Sequence, residues 1–78
     1  MYEVNYYINR LPHRYDFNFN SLWGATFKAR AIFEEFGLAT DVMDNNTGEI
    51  LVIFEPNNIW ISDDASDDAK LLVLQALV

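Results

Sequence analysis

The sequence predicts one small α+β domain, in which an antiparallel β-sheet of three to four strands packs against one main helix, followed by a short apolar C-terminal helix. Three observations predict this class: an alternating segment at the N-terminus, a capped amphipathic segment after it, and two apolar runs joined by turn residues. The 78 residues suffice for one domain, which we expect to span residues 1–78. With 51% hydrophobic residues, the chain can build a core despite its small size.

The first strand is predicted by the segment "YEVNYYIN", in which apolar or aromatic residues occupy every second position from Tyr2 to Ile8. Such alternation is typical of a half-buried strand. Pro12 lacks the amide that a strand ladder needs, so we expect it to interrupt the strand. Residues 15–19, "YDFNF", alternate again, which leaves two interpretations: a short strand, or an extended approach to the helix that follows.

The main helix is predicted by "NSLWGATFKARAIFEEFG". Asn20 or Ser21 can cap the free amides at its start, and Gly37 suits the left-handed residue that ends many helices. Apolar residues recur along one side of this helix, which should therefore pack on the sheet. They are Leu22, Ala25, Ala29, Ile32, Phe33 and Phe36.

Two strands and a hairpin are predicted next, because "LATDVMD" and "EILVIFE" flank the turn residues "NNTG". The second arm is apolar on both faces, so we expect it to be central and covered on both sides. After a turn at "PNN", the segment "IWIS" predicts one more short strand.

The C-terminal segment combines an acidic run, "SDDASDD" at residues 62–68, with the apolar "AKLLVLQALV". Negative charge is favourable in the first turn of a helix, so the run predicts a helix start capped by Ser62 or Ser66. Apolar residues surround almost the whole predicted helix, which would then be buried on several sides. The alternatives are a strand, or packing against a second chain through Leu71, Leu74 and Val78.

The net charge is −7, and the charges are unevenly distributed. Four of the five basic residues lie within residues 1–30, whereas ten of the twelve acidic residues follow them. Nucleic-acid affinity depends on neutralising phosphates with lysine and arginine, so we expect no direct binding to DNA or RNA. The same charge favours a basic protein as partner, above all one that itself handles nucleic acid.

The chain lacks the residues of common catalytic and metal sites. It has no cysteine, three glycines and a single histidine, His13, so it predicts no thiol nucleophile, two-histidine zinc site or glycine-rich phosphate loop. Counted from Asp63 as an EF-hand loop, the twelfth residue is Leu74 instead of glutamate. We therefore expect no enzymatic activity, no cofactor and no bound metal.

We expect the protein to be cytoplasmic, and the cytoplasm in question can be that of a host cell. No segment approaches the roughly 18 apolar residues that span a bilayer. The first residues, "MYEVN", carry neither the basic region nor the apolar run of a secretory signal. We expect no membrane partner for the same reasons.

Two features are candidate protein-binding surfaces. Trp23 and Phe27 lie opposite the apolar stripe of the main helix, where either residues 11–19 cover them or they form an exposed anchor for a partner. The acidic residues either form an ordinary solvated surface or gather into one negative face that imitates nucleic acid. These candidates are Asp41, Asp44, Glu49, Glu55, Asp63, Asp64, Asp67 and Asp68.

The chain resembles the small acidic proteins that phages and mobile elements encode against host machinery, among them anti-CRISPR proteins and DNA mimics. The shared features are shortness, acidity, absence of cysteine, 15% aromatic residues and no catalytic set. The resemblance implies a non-enzymatic inhibitor that occludes a basic nucleic-acid-binding surface of a host protein. The alternative is a homo-oligomeric structural or assembly subunit that uses the C-terminal apolar segment as its interface.

Overall fold

The computed structural model describes residues 1–76 and confirms the α+β class. The sheet has five strands, however, and the prediction of three to four was too low. In chain order the elements are β1 (Tyr2–Ile8), β2 (Leu11–Phe19), α1 (Leu22–Phe36), β3 (Thr40–Asp44), β4 (Ile50–Glu55), β5 (Asn58–Ile61) and α2 (Asp67–Ala76).

The sheet is antiparallel throughout, with the strand order β2-β1-β3-β4-β5. Val4, Val42 and Val52 lie side by side on three neighbouring strands and are fully buried. The same core includes Ala29 of α1 and Ala69 of α2. Both helices therefore cover one face of the sheet, and we call the other side the open sheet face.

The fifth strand arises because Pro12 does not end strand pairing, contrary to the prediction. Asn9 and Arg10 form a two-residue turn, both with positive φ, at 52° and 69°. This geometry matches the twist of a hairpin, so β2 pairs with β1 from Leu11 onward. An edge strand tolerates Pro12, because its missing amide need not find a partner. Residues 15–19 are accordingly the last part of a strand and not a separate approach to α1.

Both predicted ends of the main helix are confirmed. The Ser21 hydroxyl accepts a hydrogen bond from the Gly24 amide at 3.0 Å, which satisfies one free donor of the first turn. At the other end Gly37 has φ 68°, and its amide donates to the Phe33 carbonyl at 3.0 Å. The predicted apolar stripe supplies the buried Leu22, Ala25 and Ala29.

Strand β4 is interior, as predicted, but the helices cover only one of its faces. The register shifts between two pairs, Val42 with Val52 and Met43 with Ile50, which leaves Leu51 as the extra residue of a bulge. The bulge lets Leu51 join the core beside Val52. Ile50 and Ile53 are half-buried and line the open sheet face instead.

The C-terminal segment is helical over Asp67–Ala76, so the favoured helix is confirmed for this range. The Ser66 carbonyl accepts from the Lys70 amide at 3.1 Å and so begins the helix. Within the described chain only one side of α2 is buried, formed by Ala69, Leu72 and Val73, so burial on several sides would need a second chain. Leu71 and Leu74 remain 60% and 56% exposed.

Candidate functional site

One end of the sheet carries most of the predicted acidic residues. The β3–β4 hairpin closes there, with the Asp44 amide donating to the Glu49 carbonyl at 2.9 Å. The segment before α2 lies against the same end, because the Ser62 amide donates to the Leu51 carbonyl at 2.8 Å. These two segments, at the same end of the sheet, carry six acidic residues, which we call the acidic end: Asp44, Glu49, Asp63, Asp64, Asp67 and Asp68.

The acidic end has no intramolecular ion pair within residues 1–76. The ion pairs of the described chain lie elsewhere, between Glu3 and Arg14 at 3.8 Å and between Arg30 and Glu34 at 2.6 Å. Lys70 is close by, but its ammonium group donates to the Asp63 backbone carbonyl at 2.8 Å. The negative charge of the six carboxylates is therefore left for solvent ions or a partner to neutralise.

Two of these carboxylates help to fold the segments that carry them. Asp68 accepts from the Ser66 hydroxyl at 2.6 Å and from the Ala69 amide at 2.7 Å, which fixes the first turn of α2. Asp44 accepts from the Asn46 amide at 2.8 Å inside the hairpin turn. The other four carboxylates are exposed and accept no hydrogen bond from the described chain: Glu49, Asp63, Asp64 and Asp67.

Asp41 and Glu55 do not belong to the acidic end. They lie on the open sheet face, nearer the opposite ends of their strands. Asp41 is only 7% exposed, and it accepts from the Asn5 amide group at 2.9 Å and from the Tyr7 hydroxyl at 2.5 Å. The structure thus divides the eight predicted acidic residues into a group of six and a separate pair.

A groove of about 400 Å³ opens around Asp41. It is a concave part of the open sheet face, and we call the nearly buried Asp41 with the adjoining Tyr7 its floor and the apolar Ala39, Ile50 and Ile53 its walls. The lining residues are Tyr7, Arg10, Ala39, Thr40, Asp41, Ile50, Ile53 and Glu55. No sequence pattern selects Asn5 or Arg10 as site residues, because their proximity to Asp41 depends on the pairing of β1 with β3 and on the turn at Arg10.

The electrostatics of the groove are dominated by its two carboxylates. The hydrogen bond to Asp41, burial, and the negative charges of Asp41 and Glu55 together raise the pKa of Tyr7 from 10.0 to about 12. The Tyr7 phenol therefore stays protonated across the neutral range and donates its proton to Asp41. Asn5 contributes a second donor, so two side chains of β1 stabilise one nearly buried carboxylate.

The aromatic pair on α1 is exposed. The Trp23 and Phe27 rings stack with centroids 5.3 Å apart, and the residues are 42% and 52% exposed. The alternative in which residues 11–19 cover them is wrong, because those residues extend as β2 at the edge of the sheet. Helix α2 packs beside α1, with the Arg30 guanidinium donating to the Gln75 side chain at 3.3 Å.

The outer side of the helix layer carries further apolar residues. Leu71 and Leu74, predicted as oligomer-interface residues, are exposed on α2. Val78, the third predicted interface residue, lies outside the described residues. We refer to Trp23, Phe27, Leu71 and Leu74 together as the outer apolar residues.

Comparison with known proteins found no matching family model, no matching curated protein and no matching solved structure. Among the described residues, neither helix is long and apolar enough to cross a membrane. Across the same part of the chain, no three histidine or acidic side chains converge in a way that would hold a metal ion.

Proposed function

We propose that this protein is a non-enzymatic binding module, whose acidic end docks on the basic, nucleic-acid-binding surface of another protein and blocks it. The observation that carries this proposal is that two segments with six acidic residues lie at one end of the sheet, and that none of the six forms an ion pair with any described residue. Negative charges concentrated in one part of a small domain repel one another, and a basic partner relieves that repulsion on binding. Binding of the free domain to a positively charged surface is therefore electrostatically favourable.

The mechanism we propose is occlusion. Exposed carboxylates of the acidic end take the places that phosphate groups occupy on the partner, so nucleic acid and this protein compete for one surface. Long-range attraction between opposite charges accelerates the encounter, and added salt screens it. An inhibitor encoded by a phage or mobile element and acting in the host cytoplasm fits this mechanism.

The proposal is tested by two variants with the same change in net charge. Asp63→Asn with Asp64→Asn removes two exposed charges from the acidic end, whereas Asp16→Asn with Glu35→Gln removes two exposed charges elsewhere. Each protein is immobilised, exposed to host lysate, and the retained nucleic-acid-binding proteins are identified and quantified by mass spectrometry. Duplex DNA is then added as a competitor.

We expect the acidic-end variant to retain about ten-fold less of the partner, the loss expected when about 1.4 kcal/mol of attraction is removed. The control variant should retain nearly as much as the unchanged protein, and duplex DNA should release the partner. Equal losses in both variants, or retention that DNA does not affect, would contradict docking through the acidic end.

A second candidate function is that of a homo-oligomeric structural or assembly subunit. It is favoured by the exposure of Leu71 and Leu74, at 60% and 56%, on the outer side of the helix layer. Replacing both with serine should leave the fold intact, because neither contributes to the buried side of α2. Sedimentation at rising concentration should then show an oligomer for the unchanged protein and a monomer for the variant. A monomer in both cases would remove this candidate.

A further inference from the structure

We propose that the groove around Asp41 receives one lysine or arginine side chain, presented by the basic partner. This inference rests on the proposed function and adds a second point of contact, on the open sheet face. It assigns a role to Tyr7, Asn5, Asp41 and Glu55, none of which belongs to the acidic end.

The floor of the groove offers hydrogen-bond acceptors. Tyr7 and Asn5 both direct donors at Asp41, so their hydrogens already have a partner. A carboxylate has about four lone-pair positions and Asp41 uses two of them, while the Tyr7 oxygen retains a lone pair. A group that enters the floor must therefore bring hydrogen-bond donors, as an ammonium or guanidinium group does.

The charge of the groove also selects a cation. Asp41 and Glu55 are both carboxylates, and neither forms an ion pair with any described residue. Arg10 lines the rim but lies beyond ion-pair distance of both. A nearly buried carboxylate without a counter-ion is unfavourable, so an incoming positive charge is stabilised. A ligand with its own carboxylate or phosphate would meet repulsion at the same place.

The walls fit the remainder of a basic side chain. Ala39, Ile50 and Ile53 supply apolar surface beside the carboxylates. Lysine and arginine carry several methylene groups before the charged head, and such stems pack on apolar surface while the head stays on polar groups. A volume of about 400 Å³ is ample for one such side chain and too small for a folded element.

The protonation of Tyr7 keeps this arrangement constant. Its pKa is raised to about 12, so the phenol donates to Asp41 throughout the neutral range. The floor thus presents the same acceptors to a cation across that range.

The probes for a test are three capped amino acids with similar stems: N-acetyl-lysine methylamide, N-acetyl-arginine methylamide and the uncharged N-acetyl-norleucine methylamide. Each is titrated into the full chain while backbone amide NMR shifts are followed. We expect the two cations to shift signals around Tyr7, Asp41 and Ile53 with dissociation constants on the order of millimolar. Norleucine should produce much smaller shifts. Equal shifts with norleucine, or cation shifts confined to the acidic end, would overturn the proposal.

Three single variants, each of which removes one negative charge, sharpen the test. Glu55→Gln, at the exposed rim, should weaken cation binding by roughly three-fold, as expected for one partly screened charge. Glu35→Gln, at an exposed residue of α1 outside both the groove and the acidic end, should leave it unchanged. Asp41→Asn should abolish it, and its amide spectrum reports whether the fold is kept. Equal weakening by Glu55→Gln and Glu35→Gln would mean that the cation responds to net charge alone, and the groove proposal would fail.

The partner assay separates the two proposals. If changing Asp63 and Asp64 releases the partner but Glu55→Gln and a folded Asp41→Asn retain it fully, the groove proposal fails and docking through the acidic end stands. If the Asp63 and Asp64 variant retains the partner, docking through the acidic end fails. Loss of the partner with both sets of variants supports both proposals.

Discussion

Two buried threonines show how a single hydroxyl affects this small core. Thr40 on β3 donates to the Ala29 carbonyl at 3.0 Å, which ties the sheet to α1. Thr26 on α1 is equally buried, but its hydroxyl has no hydrogen-bond partner within the described chain. A buried polar group without a partner costs about 1–3 kcal/mol, whereas a satisfied one contributes favourably. The two residues should therefore respond in opposite directions to the same substitution.

Valine matches threonine in shape and removes only the hydroxyl. We expect Thr26→Val to raise the free energy of unfolding by about 1 kcal/mol, because an unsatisfied group disappears. Thr40→Val should lower it by about 1 kcal/mol, because the bond to Ala29 is lost. Urea unfolding of the two variants and the unchanged protein measures both. A change of the same sign in both variants would contradict the difference in hydrogen bonding.

The Tyr7–Asp41 hydrogen bond makes stability depend on alkaline pH. The folded protein holds the Tyr7 pKa at about 12, against 10.0 for an ordinary tyrosine. The protonated phenol is therefore favoured in the folded state. Its contribution to stability is fully present below pH 10 and is lost as pH rises through about 12.

Tyr7→Phe should remove this contribution. In the unchanged protein, one of the four tyrosines should ionise about two pH units above an ordinary tyrosine. The absorbance of tyrosinate, followed as pH rises, measures this transition. That late transition should be missing from the variant, whose stability should also fall less between pH 10 and 12. A late transition that persists in the variant would assign it to another tyrosine.

The individual elements differ in how far the sequence predicts them. The caps of α1 were predictable because Ser21 and Gly37 each supply what a helix end needs locally. The β3–β4 hairpin was predictable because Gly48, with φ 74°, lies in a run of turn residues. The β1–β2 hairpin was not, since its turn places Arg10 where glycine is usual, and Pro12 argues against a strand.

That turn yields a prediction for β2. Arg10 has φ 69°, a conformation that costs a residue with a side chain roughly 1–2 kcal/mol and costs glycine little. Arg10→Gly should therefore raise the free energy of unfolding by about 1 kcal/mol. Arg10→Ala is the matched control, because it removes the same charge and keeps the strained conformation. Equal effects of the two substitutions in urea unfolding would show that charge, and not the turn, determines the change.

The bulge in β4 shows where sequence patterns stop being sufficient. Strict alternation places Leu51 and Ile53 on one face, but the register shift puts Leu51 in the core and leaves Ile53 on the open sheet face. A bulge depends on how two strands meet, so the residues of one strand do not reveal it. Ile50 and Ile53, which the two-faced apolar pattern predicts to be covered, instead line the groove.

In the whole molecule, the order of the strands determines which charged residues become neighbours. The excess of negative charge after residue 30 is evident from the sequence, but its division between the acidic end and the open sheet face is not. Because β5 returns antiparallel to β4, residues 62–68 come back to the end where the β3–β4 hairpin closes. Asp41 lies instead beside Asn5 and Tyr7, which are 36 and 34 residues away in the chain. Such distant pairings are set by the sheet order, which local patterns do not encode.

The two layers leave different surfaces on the two sides of the molecule, which measures 29 × 28 × 16 Å. The helix layer exposes Trp23, Phe27, Leu71 and Leu74, and the open sheet face contains the groove. The acidic end lies where the β3–β4 hairpin meets the segment that follows β5. The acidic end and the groove both suit a positively charged partner, whereas the outer apolar residues suit a second copy of the chain.

The most direct measurement is the affinity for the nucleic-acid-binding protein retained from host lysate, determined by calorimetry at low and at high salt. We predict that the affinity falls by about ten-fold or more as salt rises, because docking is driven by unpaired carboxylates. Asn at positions 63 and 64 should reduce both the affinity and its dependence on salt, while the Asp16 and Glu35 control should change neither. An affinity that is the same at both salt concentrations, and the same in all three proteins, would contradict docking through the acidic end.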